Sequence, residues 1–97
     1  MNPIAFTATI EKTPGKGGWH YVRMPDDILG DLHRMSGKNG NVPVFVTIGK
    51  STWPSTTMSM GEQRWFVAIK ADVRKAEGIS EGDAVSVHIA ADLKRIS

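Results

Sequence analysis

The sequence predicts a mainly β protein: a small closed barrel, rich in antiparallel pairing, of about six strands with two short helices. Apolar and polar residues alternate at the period of a strand over Ile4–Ile10, Val42–Ile48 and Val85–Ile89. Only two short stretches have helical spacing, and neither sits in the strand–helix–strand order that builds parallel sheets. Closure removes the exposed edges that so many strands would otherwise leave. At 97 residues the chain is expected to form a single domain, 1–97, large enough to close a core without crosslinks.

The first strand places Ile4, Phe6, Ala8 and Ile10 on one face and threonines on the other. Thr13 to Gly18 is a loop by turn chemistry, and Trp19 to Met24 resumes as a second strand, expected to pair with the first in a hairpin. A helix starts after Pro25, where Asp26 and Asp27 suit unpaired N–H groups. It carries Ile28, Leu29, Leu32 and Met35 inward, has His33 and Arg34 in its last turn, and stops at Gly37. Gly30 within it costs roughly 1 kcal/mol against alanine.

Val42, Val44, Val46 and Ile48 form the cleanest stripe, with Pro43 at an edge or before pairing begins. Thr52 to Met60 reads as a strand interrupted by Pro54, and Gly61-Glu62 as a turn. Arg64 to Ile69 is apolar on both faces, as in a central strand covered on two sides. Asp72 is expected to cap a short helix with Val73 and Ala76 inward. The stretch K-A-E-G-I-S-E-G-D, from Lys75 to Asp83, reads as punctuation. Gly78 ends the helix, Ile79 folds back on its last turn, and Glu81-Gly82 reverses the chain. Val85, Val87 and Ile89 then point inward along the final strand.

Composition excludes several classes. Without cysteine there is no disulfide, thiolate metal site or thiol nucleophile. The net charge of +2 is scattered along the chain and demands no polyanionic partner. M-N-P-I-A-F-T-A-T-I lacks the basic start and apolar run of a signal peptide. No stretch approaches the ~18 apolar residues of a membrane helix, so a cytoplasmic location is expected.

No stretch announces a reaction. Gly49-Lys50-Ser51-Thr52 ends like a phosphate-binding loop, but position 44 is a valine and Trp53-Pro54 forbids the helix that must follow. Gly15, Gly17 and Gly18 lack that helix too. His20, His33 and His88 have no ligand spacing, and His20 and His88 are expected on the polar faces of their strands, so no metal is expected. Ser51, Ser55 and Ser59 alternate like an outward polar face, with no nucleophile elbow. Asp26 with Asp27, and Glu81 with Asp83, are explained by a helix start and a turn. The grouping with most chemical content is aromatic and basic: Trp53, Arg64, Trp65, Lys70, Arg74 and Lys75. A planar ligand can stack on indole while guanidinium or ammonium neutralises an anion.

The run W-P-S-T-T-M-S-M-G-E-Q-R-W-F-V-A-I-K-A-D-V-R-K, continuing through G-I-S-E-G-D-A-V-S-V-H-I, resembles the bacterial domain-of-unknown-function family numbered 1905, as does G-W-H-Y-V-R-M-P-D-D-I. The resemblance spans nearly the whole chain. It implies a small closed β-barrel with short helices and no established activity. Gly49, Ser55, Thr56, Gly61, Arg74, Gly78, Gly82 and Asp83 match recurring positions. Lys50 stands where the family often has a turn glycine, and Pro54 replaces a frequent arginine. The G-I-S-E-G-D ending also resembles swapped-hairpin DNA-binding regulators of the AbrB type, which are about half this length.

The expected function is therefore a non-catalytic module, without cofactor, that binds a small ligand or a protein. Its expected pocket is built from Trp53, Ser55, Thr56, Arg64 and Arg74. The alternatives are a nucleic-acid-binding barrel and a small enzyme. The partner is an unidentified ligand or protein, no membrane contact is expected, and the chain is a monomer or a homodimer.

Overall fold

The computed structural model describes residues 4–13, 19–36, 41–59 and 64–96. Their order is β1 (Ile4–Thr9), β2 (Glu11–Lys12), β3 (His20–Arg23), α1 (Asp26–Ser36), β4 (Pro43–Ile48), β5 (Ser51–Thr56), β6 (Met58–Ser59), β7 (Trp65–Ala68), α2 (Ala71–Glu77), β8 (Ala84–Ala91) and α3 (Leu93–Ile96). The strands make two four-stranded sheets, ordered β1-β8-β4-β5 and β2-β3-β7-β6, with every pair antiparallel. The mainly β class is as the sequence predicts. Neither sheet closes on itself among the described residues.

The chain joins the two sheets at two corners. Ile10, 1% exposed, lies between β1 and β2 and turns one long strand from the first sheet into the second. Its N–H donates to Asp83 O (2.9 Å), and its carbonyl accepts from Gly82 N–H (2.9 Å). The expected hairpin is thus formed by β2 with β3 alone, while β1 pairs with β8. Thr57 makes the second corner, between β5 and β6. It is fully buried: its hydroxyl accepts Val42 N–H (2.8 Å), and its N–H donates to Val42 O (3.0 Å).

That corner corrects the expected break at Pro54, which lies inside β5 opposite Phe45. Because β5 is an edge strand of its sheet, the missing N–H breaks no ladder. Register also reverses the expected outward serines. Ser51, Trp53 and Ser55 face Ile48, Val46 and Val44, so they share the inward face, while Ser59, in β6, is exposed.

Between the sheets lie Val22, Val42, Val44, Val46, Val67, Val87 and Ile89, all fully buried. The β4 stripe is inward as expected, and Pro43 is the first residue of its strand, its carbonyl taking Asp92 N–H at 2.9 Å. α1 buries Ile28, Leu29 and Leu32, and its acidic first turn and basic last turn complement the helix dipole. In α2, Val73 is buried but Ala76 is exposed, and Lys70, not Asp72, is the N-cap, making no side-chain bond. α3 adds a third helix to the two expected; one turn is too short to leave a readable period.

The C-terminal punctuation is structural. Gly78 adopts the left-handed conformation (φ 65°), Ile79 N–H reaches Arg74 O (3.0 Å), and Asp83 Oδ2 accepts Ser80 N–H (2.9 Å). The loop from Pro14 to Gly18, the side chain of Met35, the helix stop at Gly37 and the Gly61-Glu62 turn lie outside the described residues.

Candidate functional site

Among the described residues, two grooves bring polar and aromatic side chains together. The larger, of about 590 Å³, runs between α1 and the start of β7. One wall is a single helical face: Asp26, Leu29, Gly30 and His33 recur at the three- and four-residue spacing of neighbours on a helix. The other wall brings Arg23, at the end of β3, beside Arg64 and Trp65. Met24 N–H bonds Trp65 O (2.9 Å), fixing that wall to β3. The His33 and Trp65 rings meet edge-on, with centroids 5.9 Å apart. Among the described residues nothing sterically requires glycine at position 30. A Cβ there would meet the tip of Arg34 at 3.7 Å, an ordinary contact.

The smaller groove, of about 260 Å³, lies where β7 passes into α2. Ile69 N–H donates to His20 O (2.9 Å), so the strand end lies against the start of β3. Lys70 and Arg74, four apart, then point to one side with His20, over Trp19, Ala68 and Ile69. Arg74 Nη1 lies 3.3 Å from His20 Nε2. A guanidinium only donates, so Nε2 accepts and the neutral imidazole carries its proton on Nδ1. That Nδ1–H and Arg74 Nε–H are both buried and have no hydrogen-bond partner among the described residues. Desolvation, then the Arg74 and Lys12 charges, hold His20 below the usual histidine pKa, against a weaker opposing pull from Glu81. His20 is therefore half-buried against Arg74, not on an outward polar face; His88 is exposed as expected.

The structure divides the expected pocket. Trp53, 5% exposed, belongs to the core. Ser55 is half-buried and offers its carbonyl to Arg95 Nη2 (2.8 Å), and Thr56 stands opposite Pro43. Arg64 lines the larger groove and Arg74 the smaller, and Trp53 lines neither. Of the wider aromatic and basic grouping, Trp65 joins Arg64, Lys70 joins Arg74, and Lys75 is exposed on α2. Arg23, Asp26, Gly30 and His33, and Trp19 with His20, were not legible as site residues. The i, i+3, i+4, i+7 spacing of the α1 wall could have found Asp26, Gly30 and His33, while Arg23, Trp19 and His20 left no such signal.

The Gly49-Lys50-Ser51 turn holds an anion of the protein's own. Ser51 Oγ donates to Glu77 Oε2 (2.7 Å), and Lys50 N–H approaches Oε1 (3.4 Å). Gly49 has φ 60°, and a Cβ there would collide with the Glu77 carboxylate. The turn joins two strands, with no helix following, and ties α2 to the β4–β5 hairpin. No group of three His, Cys, Asp or Glu side chains among the described residues could hold a metal ion. No helix among them is long and apolar enough to cross a membrane.

Both grooves, and the strands that carry them, fall inside residues 6–89, which match the family described as domain of unknown function (DUF1905). The chain belongs to the DUF1905 family. No curated protein matches it. The DUF1905 match begins within β1, ends within β8 and stops short of Asp92 and α3. The groove side chains thus lie within the residues matched to DUF1905, and α3 lies beyond them.

Proposed function

We propose that this DUF1905 domain is a non-catalytic binding module whose larger groove takes a small anionic ligand with a flat ring. The two sheets, continued through Ile10 and Thr57, act in this reading as one flattened barrel that holds the groove rigid. Gly30 carries the proposal. Glycine inside a helix is unfavourable by about 1 kcal/mol against alanine, and among the described residues nothing packed around Gly30 excludes a methyl group. What a larger side chain there would fill is the groove. Around that opening stand two guanidinium groups, which match phosphate or carboxylate as planar forks. Trp65 and Leu29 offer apolar surface for a ring, and Asp26 an acceptor for its hydroxyl or amino groups. The volume lies within the roughly 300–1,000 Å³ of small-molecule sites.

Calorimetric titration with a nucleoside monophosphate, against the same nucleoside without phosphate, tests this. Saturable binding of the phosphorylated probe is expected. It should weaken at least tenfold in both Arg64→Gln and Gly30→Leu, while both variants keep the wild-type circular dichroism. Equal binding of the uncharged nucleoside, or undiminished binding by Gly30→Leu, overturns the proposal. Single-stranded DNA that binds the wild type tightly, with affinity falling steeply as salt rises, would put a nucleic-acid module in its place.

A further inference from the structure

The smaller groove has a different chemistry. We propose that it is a second, independent ligand site, for a carboxylate carried on a compact apolar body. Two buried N–H groups, His20 Nδ1–H and Arg74 Nε–H, have no acceptor among the described residues. A buried donor left without an acceptor is unfavourable by about 1–3 kcal/mol, and native folds seldom leave one, let alone two on adjacent side chains. The Arg74–His20 contact fixes the tautomer, so both orphans are donors, and only an acceptor can satisfy them.

Charge selects an acidic acceptor. Lys70 stands at the rim, one helical turn before Arg74, and among the described residues no carboxylate lines the groove. Lys12 adds positive field at His20, and Glu81 opposes it less strongly. An anion seated here meets the Lys70 ammonium directly, and the buried N–H groups reach it as the half-buried His20 and Arg74 side chains turn toward the groove. Arg74 is only half-buried, so its guanidinium can turn to present Nε together with an Nη, the paired geometry that a carboxylate accepts.

Shape selects the rest of the ligand. The floor is Ala68 and Ile69, and Trp19, 53% exposed, forms a wall whose ring meets Phe66 edge-on with centroids 6.5 Å apart. A volume of about 260 Å³ falls below that of drug-sized ligands, so the body is a single ring or a short branched chain. A free inorganic anion would leave this apolar surface uncovered.

The test is a two-dimensional ¹H–¹⁵N titration with 3-methylbutanoate, 3-methylbutan-1-ol and inorganic phosphate, each added to the whole chain. The branched carboxylate, which has no flat ring, should shift the amides of Trp19, His20, Lys70 and Arg74, leave Gly30 and Arg64 unmoved, and slow exchange of the His20 Nδ1 proton. Arg74→Gln should weaken its binding at least tenfold and Lys70→Gln several-fold. Because Lys70 is exposed, its variant is a fair test even if Arg74→Gln folds poorly. The proposal is overturned if the alcohol matches the carboxylate, if phosphate matches it, or if the shifts gather at the larger groove. Loss of nucleotide binding through Gly30→Leu leaves this site standing, so the two proposals fail separately.

Discussion

Arg95 grips Asp92 from one turn away: its Nε donates to Asp92 Oδ2 at 2.6 Å, and Asp92 Oδ1 receives Arg95 N–H at 3.4 Å. The same guanidinium extends Nη2 to the carbonyls of Val44 (2.9 Å) and Ser55 (2.8 Å). One side chain thus ties α3 to two strands of the first sheet. The buried carboxylate that orients it is itself anchored, since Asp92 N–H bonds Pro43 O (2.9 Å).

This arrangement sets an acid limit on stability. The Arg95 hydrogen bond holds the Asp92 carboxyl below its ordinary value of 3.8, more than burial raises it. A carboxylate depressed in the folded state contributes stability above its unfolded pKa and loses it as pH falls through the folded one. His20 adds to the same trend, because an imidazole held below the usual pKa opposes folding once pH drops under about 6.5. Urea midpoints should therefore hold steady near neutrality, decline gently below pH 6.5 and fall further below pH 4. Asp92→Asn should be less stable at pH 7 and lack the steeper acid portion.

Thr57 should be hard to replace. Thr57→Val keeps shape and volume but leaves Val42 N–H without an acceptor in a fully buried corner. A loss of about 1–3 kcal/mol is expected in urea denaturation. Thr57→Ser, which retains the hydroxyl, should lose less.

Gly30→Ala should move the other way. Its methyl group finds open contact and the helix loses a flexible residue, so the fold should gain up to about 1 kcal/mol. A thermal melt reads this directly. A destabilised variant would mean that glycine is needed for packing, and the case for the larger groove would lose its support.

At Gly49 two costs are superimposed. Gly49→Ala forces a side chain into left-handed backbone, about 1–2 kcal/mol, and displaces the Glu77 carboxylate from Ser51. In a Glu77→Ala background only the backbone strain remains. The substitution should therefore be milder there, and a double-mutant cycle on denaturation midpoints measures the difference.

The strands and their inward stripes were legible because burial on one face writes a period of two into the chain. Val42, Val44, Val46 and Ile48 are the clearest case. The corners were not, since Ile10 continues the alternation of β1 without a break while the strand changes sheets. At Pro54 a strong local signal was outweighed by position: on an edge strand a missing N–H is tolerated. Ser51 and Ser55 looked solvent-facing from their polarity, yet register with Ile48 and Val44 turned them inward. The grooves were least legible of all. Arg64 and Arg74 are ten residues apart in sequence, but each belongs with partners more than thirty residues away, Asp26 to His33 in one case and His20 in the other.

The placement of the three tryptophans has a spectroscopic consequence. Trp53 is sealed in the core, Trp65 borders one groove and Trp19 the other. Single-tryptophan versions, with the other two changed to phenylalanine, would give three separate emission signals from one small domain. Trp53 would report global melting, and the other two would each be quenched or shifted only by what enters beside them.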